Sequence, residues 1–554
     1  LWWILRGSTH PNPLAVDPGH LATRISPYFG LGAVVGSLAI QHSGTACVGA
    51  SKLVGASAFE TRTSLVARDP RNPSVLVEAM ASQLGCLTPR ILDAFVGGAL
   101  VLAVSLQLAS IAPALGWPKG TEGLAFLPLL ARAFGLFSTV VAVLTLRSNE
   151  HEDAKNPWLR GQLVAHVVQA SALLGLLVWL VGAFSWMLAV SAMLGLVLSP
   201  ALGGLRSYLL THTRAARAPT DDAHHGLLTS VEGAGSALSA ALIPLALYAS
   251  LFGLLSFWFS YVPAVEPHQV AGVLLGLALP SSLAAWYQLP AICRDFSIIG
   301  SLSVGIGRVT LSDETSHRIR KVNDAFERVG LGASPALSDG GMLLCCLAAV
   351  VSSPARANAS PESPSIMTLL SVCVWVLLPA ALCLVESFKT SSRAARTQLN
   401  EVDRQLRGMR RDGPKVIVPE DFVPSYRSCV ELLARDSAHG GLFFALATLA
   451  FPAFAAYLGH VPEKSASSMP LTLASYASIA AAVGLFAVHV GHAASAANLS
   501  APRGSPPPRS GPSSVPVSES LRMIEFLGHS LSVSVPLLTK AVALVTLAFS
   551  ASLL

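Results

Sequence analysis

Long apolar runs alternate with short polar stretches over most of the chain. Runs of spanning length lie at 29–51, 91–113, 122–146, 160–181, 183–205, 228–259, 268–291, 336–352, 366–386, 440–459, 470–492 and 530–554. An α-helix rises about 1.5 Å per residue, so about 20 apolar residues cross a bilayer core. The pattern predicts an all-α polytopic membrane protein with about twelve transmembrane helices. The first run is weak and Gly-rich. Gly and Ala are dense elsewhere too, which suits close packing between helices.

The polar stretches set the topology. One alternate set carries Arg62, Arg68 and Arg71, then Arg147, Lys155 and Arg160, then Arg206, Arg214 and Arg217. It continues with Arg308, Arg318, Arg320 and Lys321, with Arg393 to Lys415, and with Arg503 and Arg509. The other set holds little beyond Lys119, Arg356 and Lys464. Positive charge is retained on the cytoplasmic side, so the first set is cytoplasmic and the C-terminus lies opposite. Within the cytoplasmic set, 387–438 reads as a charged helical extension. Glu401, Arg404 and Arg407 stand there at helical spacing, as on a solvated face. The Pro/Ser-rich 501–516 reads as an unstructured linker.

Composition agrees with the pattern. Of 554 residues, 52% are hydrophobic and 12% charged, where a soluble protein carries about 25% charged. Mean hydropathy is +0.58. The net charge of +6 is accounted for by topology, and no nucleic-acid partner is expected. Eight cysteines are scattered, with Cys345, Cys346, Cys373 and Cys383 in apolar segments; they read as buried thiols without zinc or disulfide spacing. The chain starts at Leu1 without Met, so 1–28 is expected to be an N-terminal segment of a chain incomplete upstream. The transmembrane domain is expected over 29–554.

Asp69-Pro70-Arg71-Asn72-Pro73 follows the run Phe29-Gly30-Leu31-Gly32-Ala33 at a fixed distance, and Asp93 and Phe95 come after it. Further pieces follow in order: Val322 to Gly330, Glu401 to Arg407, Pro424 to Glu431, and Leu538-Thr539-Lys540. The ordered set resembles the membrane-bound pyrophosphatases, ion pumps that hydrolyse pyrophosphate on the cytoplasmic side. The resemblance covers nearly the whole chain and the last twelve of the family's sixteen helices. It implies a homodimer or a subunit of a larger membrane complex. It also implies a vacuolar or other internal acidic-organelle membrane.

The family's chemistry needs magnesium pyrophosphate held by many carboxylates and by lysines on the phosphate oxygens. Here the resemblance puts Lys52 and Ala56 where two aspartates are expected, and Glu60 and Arg62 where Lys and Glu are expected. Ala67 and Arg68 stand for two acids before the pentapeptide; Glu78, Ser82 and Cys86 stand for three aspartates after it. Cys293 and Ser338 replace an Asp and a Lys, and His489 to Leu499 lacks the family's Asp and lysines. An Arg in place of a metal carboxylate repels the metal. The residual catalytic candidates are Asp69, Glu78, Asp324, Glu327 and Glu525. Bland roles compete: Asp69 before Pro starts a turn, and Asp324 and Glu327 one helical turn apart can face solvent near Arg328. No residue set is expected to hold a metal, and Mg2+ enters only with an active site.

For the ion path the resemblance marks Gln41 where an Arg is expected, then Asp93 and Lys540. The relay carboxylate has only Val96 to Leu100 to match it. Ionisable groups inside a membrane are functional by default, yet Asp93 and Lys540 can also neutralise each other as a buried pair. Glu232 and Asp295 have no assignable partner. His42, His489, His492 and His529 have no ligand motif and read as packing or loop residues. Three functions stay open. One is a pseudoenzyme with a structural or regulatory role, expected to need no cofactor. The others are an active proton-translocating pyrophosphatase and a repurposed ion transporter or channel.

Overall fold

The computed structural model describes residues 29–34, 36–37, 40, 63, 71–73, 77, 91, 95–104, 127–147, 155–181, 186–215, 273, 275–290, 292–293, 385–386, 389–413, 415–438, 540 and 544. They are mostly helical. The helices are α1 (Phe95–Val104), α2 (Leu127–Thr145), α3 (Lys155–Val181), α4 (Trp186–Ala215), α5 (389–405) and α6 (Tyr426–Ala438). A two-stranded hairpin, β1 (Arg411–Asp412) and β2 (Lys415–Val416), lies between α5 and α6.

α2 shows how a lipid-facing helix is built. Pro128 sits in its first turn, where a missing N–H costs nothing. Its inner face carries Ala131, Gly135, Ser138, Thr139 and Ala142, all small and all buried. Its outer face carries Leu136, Phe137, Val140 and Leu144, all large, apolar and exposed. A helix in water would reverse this order. α3 repeats it, with Gly161, Ala165 and Gln169 inside and Leu163, Val167, Val178 and Trp179 outside. Leu127–Thr145 and Asn156–Leu180 are long and apolar enough to cross a membrane, with mean hydropathies of 1.9 and 2.0. α4 is 30 residues long, with Pro200 in its interior.

The run 268–291 is interrupted. A 3₁₀ turn, Leu279–Leu283, breaks its helix. Pro280 has no N–H to give an α-helical ladder, and the tighter turn follows. The break has a packing purpose. It brings the backbone of Ser282 against Gly135 so closely that a Cβ on Gly135 would collide with the Ser282 carbonyl. Nearby, Trp286 stacks on Trp158 with ring centroids 4.4 Å apart and also lies over Gly161.

The segment 387–438 is not one helical extension. α5 ends near 405, the hairpin follows, and α6 returns. Gly408 (φ 90°) and Gly413 (φ 60°) make the turns, in the left-handed region that favours glycine. Ser425 precedes α6 at the N-cap position. A second apolar core joins this unit: Ala394, Ala395, Val402, Leu406, Val416, Val418, Cys429 and Leu433, with Val77 from far upstream.

Candidate functional site

The tail of the pentapeptide is tied to the helix–hairpin–helix unit. Arg71 Nη1 donates to the carbonyl of Val418 at 3.5 Å, a weak bond at the limit of reach. Thr63 forms a parallel bridge with Val416. Asn72 is fully buried, and Pro73 is buried beside it. Val77 completes the contact by entering the same core. These upstream residues therefore hold the helix–hairpin–helix unit in place. Asp69 and Glu78, which bracket them, lie outside the described residues, as do Asp324, Glu327 and Glu525.

Glu401 does not lie on a solvated face. It is 7% exposed. Arg404 grips it with two donors, Nε and Nη2, each at 2.7 Å, and Gln405 Nε2 adds a third at 2.9 Å. Gln405 also bonds the backbone on both sides of Ser425, so the cluster clamps α5 to the start of α6. Hydrogen bonds from Arg404, with Gln405 adding to them against the cost of burial, pull the Glu401 carboxyl down to about 2. Arg404 and Arg407 do face solvent. Spacing suggested a surface pair because Glu401 and Arg404 are one turn apart; the burial comes from α6, which spacing does not reveal. Cys429, under this clamp, is a buried thiol pushed up to about 12, chiefly by burial and then by the Glu401 charge. Such a thiol is inert.

In the bundle, the segment Trp286 to Pro290 is closed by packing. Trp286 is fully buried. His166 Nδ1 lies 2.7 Å from the Gln162 carbonyl and must donate to it, so Nε2 accepts from Tyr287 Oη at 2.8 Å. Cys293, in the position of an expected acid, is half-buried. A polar seam runs alongside. Gln169 Nε2 donates to Ala131 O at 3.0 Å and to Ser282 Oγ at 2.7 Å, while Gln169 Oε1 lies 3.1 Å from Ser138 Oγ. Both amide hydrogens are used within the bundle, while the Ser138 hydroxyl proton is shared between Gln169 Oε1 and the Phe134 carbonyl at 2.7 Å. The seam was not foreseen; Gln169 stands out only as an amide in an apolar run.

Of the ion-path residues, Asp93 and Gln41 lie outside the described residues, and Lys540 is 1% exposed. Its ammonium approaches α1: a Cβ on Gly97 would sit 3.9 Å from Lys540 Nζ. Arg132, on α2, packs its guanidinium on the next residue, and any side chain at Gly98 would collide with it. Gly30 likewise abuts Leu544 and Ala99. Residues 29–34, α1 and the terminal segment therefore meet, with two cations at consecutive glycines. Arg132 was not singled out from sequence, although a lone Arg inside an apolar run is a readable signal.

Among the described residues no group of three His, Cys, Asp or Glu side chains could hold a metal.

This chain is similar to pyrophosphate-energized proton pumps. It is 25% identical over 174 residues to K(+)-insensitive pyrophosphate-energized proton pump 2 of Moorella thermoacetica, covering 30% of this chain and 23% of the relative. It is 24% identical over 336 residues to a K(+)-insensitive pyrophosphate-energized proton pump of Caldanaerobacter subterraneus, covering 56% of this chain and 44% of the relative. The chain thus spans less than half the length of each of these relatives. No family model matches it. Distant homology to membrane pyrophosphatase proton pumps, with two apolar helices of spanning length, supports an α-helical membrane protein.

Proposed function

We propose that this chain is a membrane pyrophosphatase-like protein that has kept the scaffold and lost pyrophosphate hydrolysis and coupled pumping. Its role is structural or regulatory, as a homodimer or as a subunit of a larger complex in an internal membrane such as that of an acidic organelle. About twelve spans, matching the last twelve of the sixteen-helix fold, carry it. The observation that carries this reading is charge reversal. Lys52 and Arg68 stand where the resemblance puts carboxylates, and Arg62 stands where it puts a Glu. Two unlike charges can share a metal site; a guanidinium at short range in low dielectric repels a divalent ion strongly. The way Asn72 and Pro73 are buried supports it, since those residues serve packing.

The test is magnesium-dependent release of phosphate from pyrophosphate by the purified full-length protein. No release above background is expected, and turnover would end this reading in favour of an active pump. A second measurement adds magnesium and a non-hydrolysable pyrophosphate analogue. An intact site would stabilise the fold by about 2.7 kcal/mol at a hundredfold excess over Kd; no thermal shift is expected.

The buried Lys540 and Arg132 at Gly97 and Gly98 favour a second reading, a repurposed ion route without pyrophosphate. Liposome flux by the protein that disappears in Lys540→Ala would support it. Tight liposomes with the unmodified protein would end it.

A further inference from the structure

Four basic side chains at the tip of the cytoplasmic unit are used by none of the roles above. Arg407, Arg410, Arg411 and Lys415 are all exposed, and none forms an ion pair with a described residue. They are held on a rigid mount. Gly408 and Gly413 fix the two turns, Arg411 pairs with Val416 and Asp412 with Lys415, and the Ile417 N–H donates to the Arg410 carbonyl at 2.9 Å. Val416 is buried in the core beneath.

Topology needs these charges only on the cytoplasmic side, and it does not require four of them on one hairpin far from the span ends. Retention of positive charge acts within about 15–20 residues of a span end. Arg407 lies 21 residues after 386 (407 − 386), and Lys415 lies 25 before 440 (440 − 415). α5, over 389–405, is about 26 Å long, several times the Debye length of about 8 Å, which is length enough to hold the hairpin clear of a leaflet. Beside the cations are apolar side chains rather than stacking surfaces. Ile417 is 39% exposed and Val423 71%, while Phe422 packs against the core. Nucleic acid without sequence preference is held by exposed aromatic platforms, which this tip lacks among the described residues. Asp412, Glu420 and Asp421 are exposed at its border and would repel the same partner at the wrong register.

We propose that this hairpin is a docking surface for an acidic polypeptide segment carrying aliphatic side chains, supplied by a partner protein on the cytoplasmic side. The carboxylates face Arg407, Arg410, Arg411 and Lys415, and an aliphatic side chain covers Ile417. The proposal rests on the reading of this chain as a member of a membrane assembly, and names the surface by which it joins.

The test uses the purified full-length protein in phosphatidylcholine nanodiscs and a fluorescent peptide of alternating Glu-Glu-Leu triplets. Anisotropy is expected to report saturable binding that weakens as salt is raised. The quadruple variant R407E/R410E/R411E/K415E is expected to lose at least tenfold in affinity, and Ile417→Ser severalfold. R393E/R396E, on the exposed face of α5, is expected to bind as the unmodified protein does. Unchanged binding by the quadruple variant overturns the proposal. So does tighter binding of a single-stranded oligonucleotide, which makes the hairpin a nucleic-acid site, or of phosphatidylserine vesicles, which makes it a membrane contact. All four changed side chains are exposed, so a preserved melting temperature shows that lost binding is not lost folding. Pyrophosphate release is measured on the same samples. A protein that hydrolyses and still binds the peptide ends the pseudoenzyme reading while leaving the docking surface standing.

Discussion

Gln169 and Glu401 are both polar side chains buried on helices, 0% and 7% exposed. Gln169 sits in an apolar bundle and is neutral, and its three partners come from two other elements. Glu401 sits in the helix–hairpin–helix unit and is charged; two of its partners come from its own helix, one turn away. The Gln169 seam joins distant segments with uncharged groups, where an unpaired charge in hydrocarbon would cost several kcal/mol. The helix–hairpin–helix unit uses a charge whose partner, Arg404, is exposed on its outer side. Each region uses the polar chemistry its solvent permits.

Backbone contact in the bundle should be the least tolerant feature. Gly135→Leu pushes α2 off the 3₁₀ turn and is expected to cost about 3 kcal/mol or more. Thermal unfolding of detergent-purified protein measures it, and an unchanged melting temperature would deny that α2 and Ser282 are in contact.

The charged clamp comes next. The Glu401 carboxyl is lowered from its usual 4.5 to about 2 in the folded protein. A lowered pKa stabilises above the unfolded value and fails as pH falls through the folded one. After allowing for the exposed Arg404, the contribution is on the order of 2 kcal/mol at neutral pH. Glu401→Gln should lose it at pH 7 and match the unmodified protein near pH 2. A deficit that persists equally at low pH would point to packing instead.

The uncharged seam should be worth less. Gln169→Leu is expected to cost about 1 kcal/mol, in line with hydrogen bonds measured inside membranes, with little dependence on pH or salt. If it costs more than Glu401→Gln, the contrast between the two regions is reversed. Smallest is the long bond from Arg71 to the Val418 carbonyl, about 0.5 kcal/mol, which Arg71→Ala removes. Its signature is local: faster amide exchange at 415–418 with the bundle unchanged.

Apolar length alone made α2 and α3 readable, as the runs 122–146 and 160–181, whereas the division into a small inner and a large outer face emerged with the structure. The run 268–291 reads as one helix; the 3₁₀ turn after Pro280 packs on Gly135, 145 residues earlier (280 − 135), and no local pattern encodes that partnership. The burial of Glu401 was hidden by its spacing to Arg404, which is the same in a solvated pair and a clamped one. The candidate site divides similarly. The pentapeptide and Lys540 were marked by the resemblance of short ordered motifs. The tie from Arg71 to Val418 spans 347 positions and is knowable only once the chain is folded.

The seam around Gln169 also bears on how the protein is made. α2 and α3 leave the ribosome together, and with them Ser138 and the Ala131 carbonyl. Ser282 is synthesised more than a hundred residues later. Until it arrives, one amide hydrogen of Gln169 faces lipid or a stand-in partner. A nascent chain stalled before that point carries a polar flaw inside the bilayer, the kind of mark by which quality control can tell an unfinished membrane protein from a finished one.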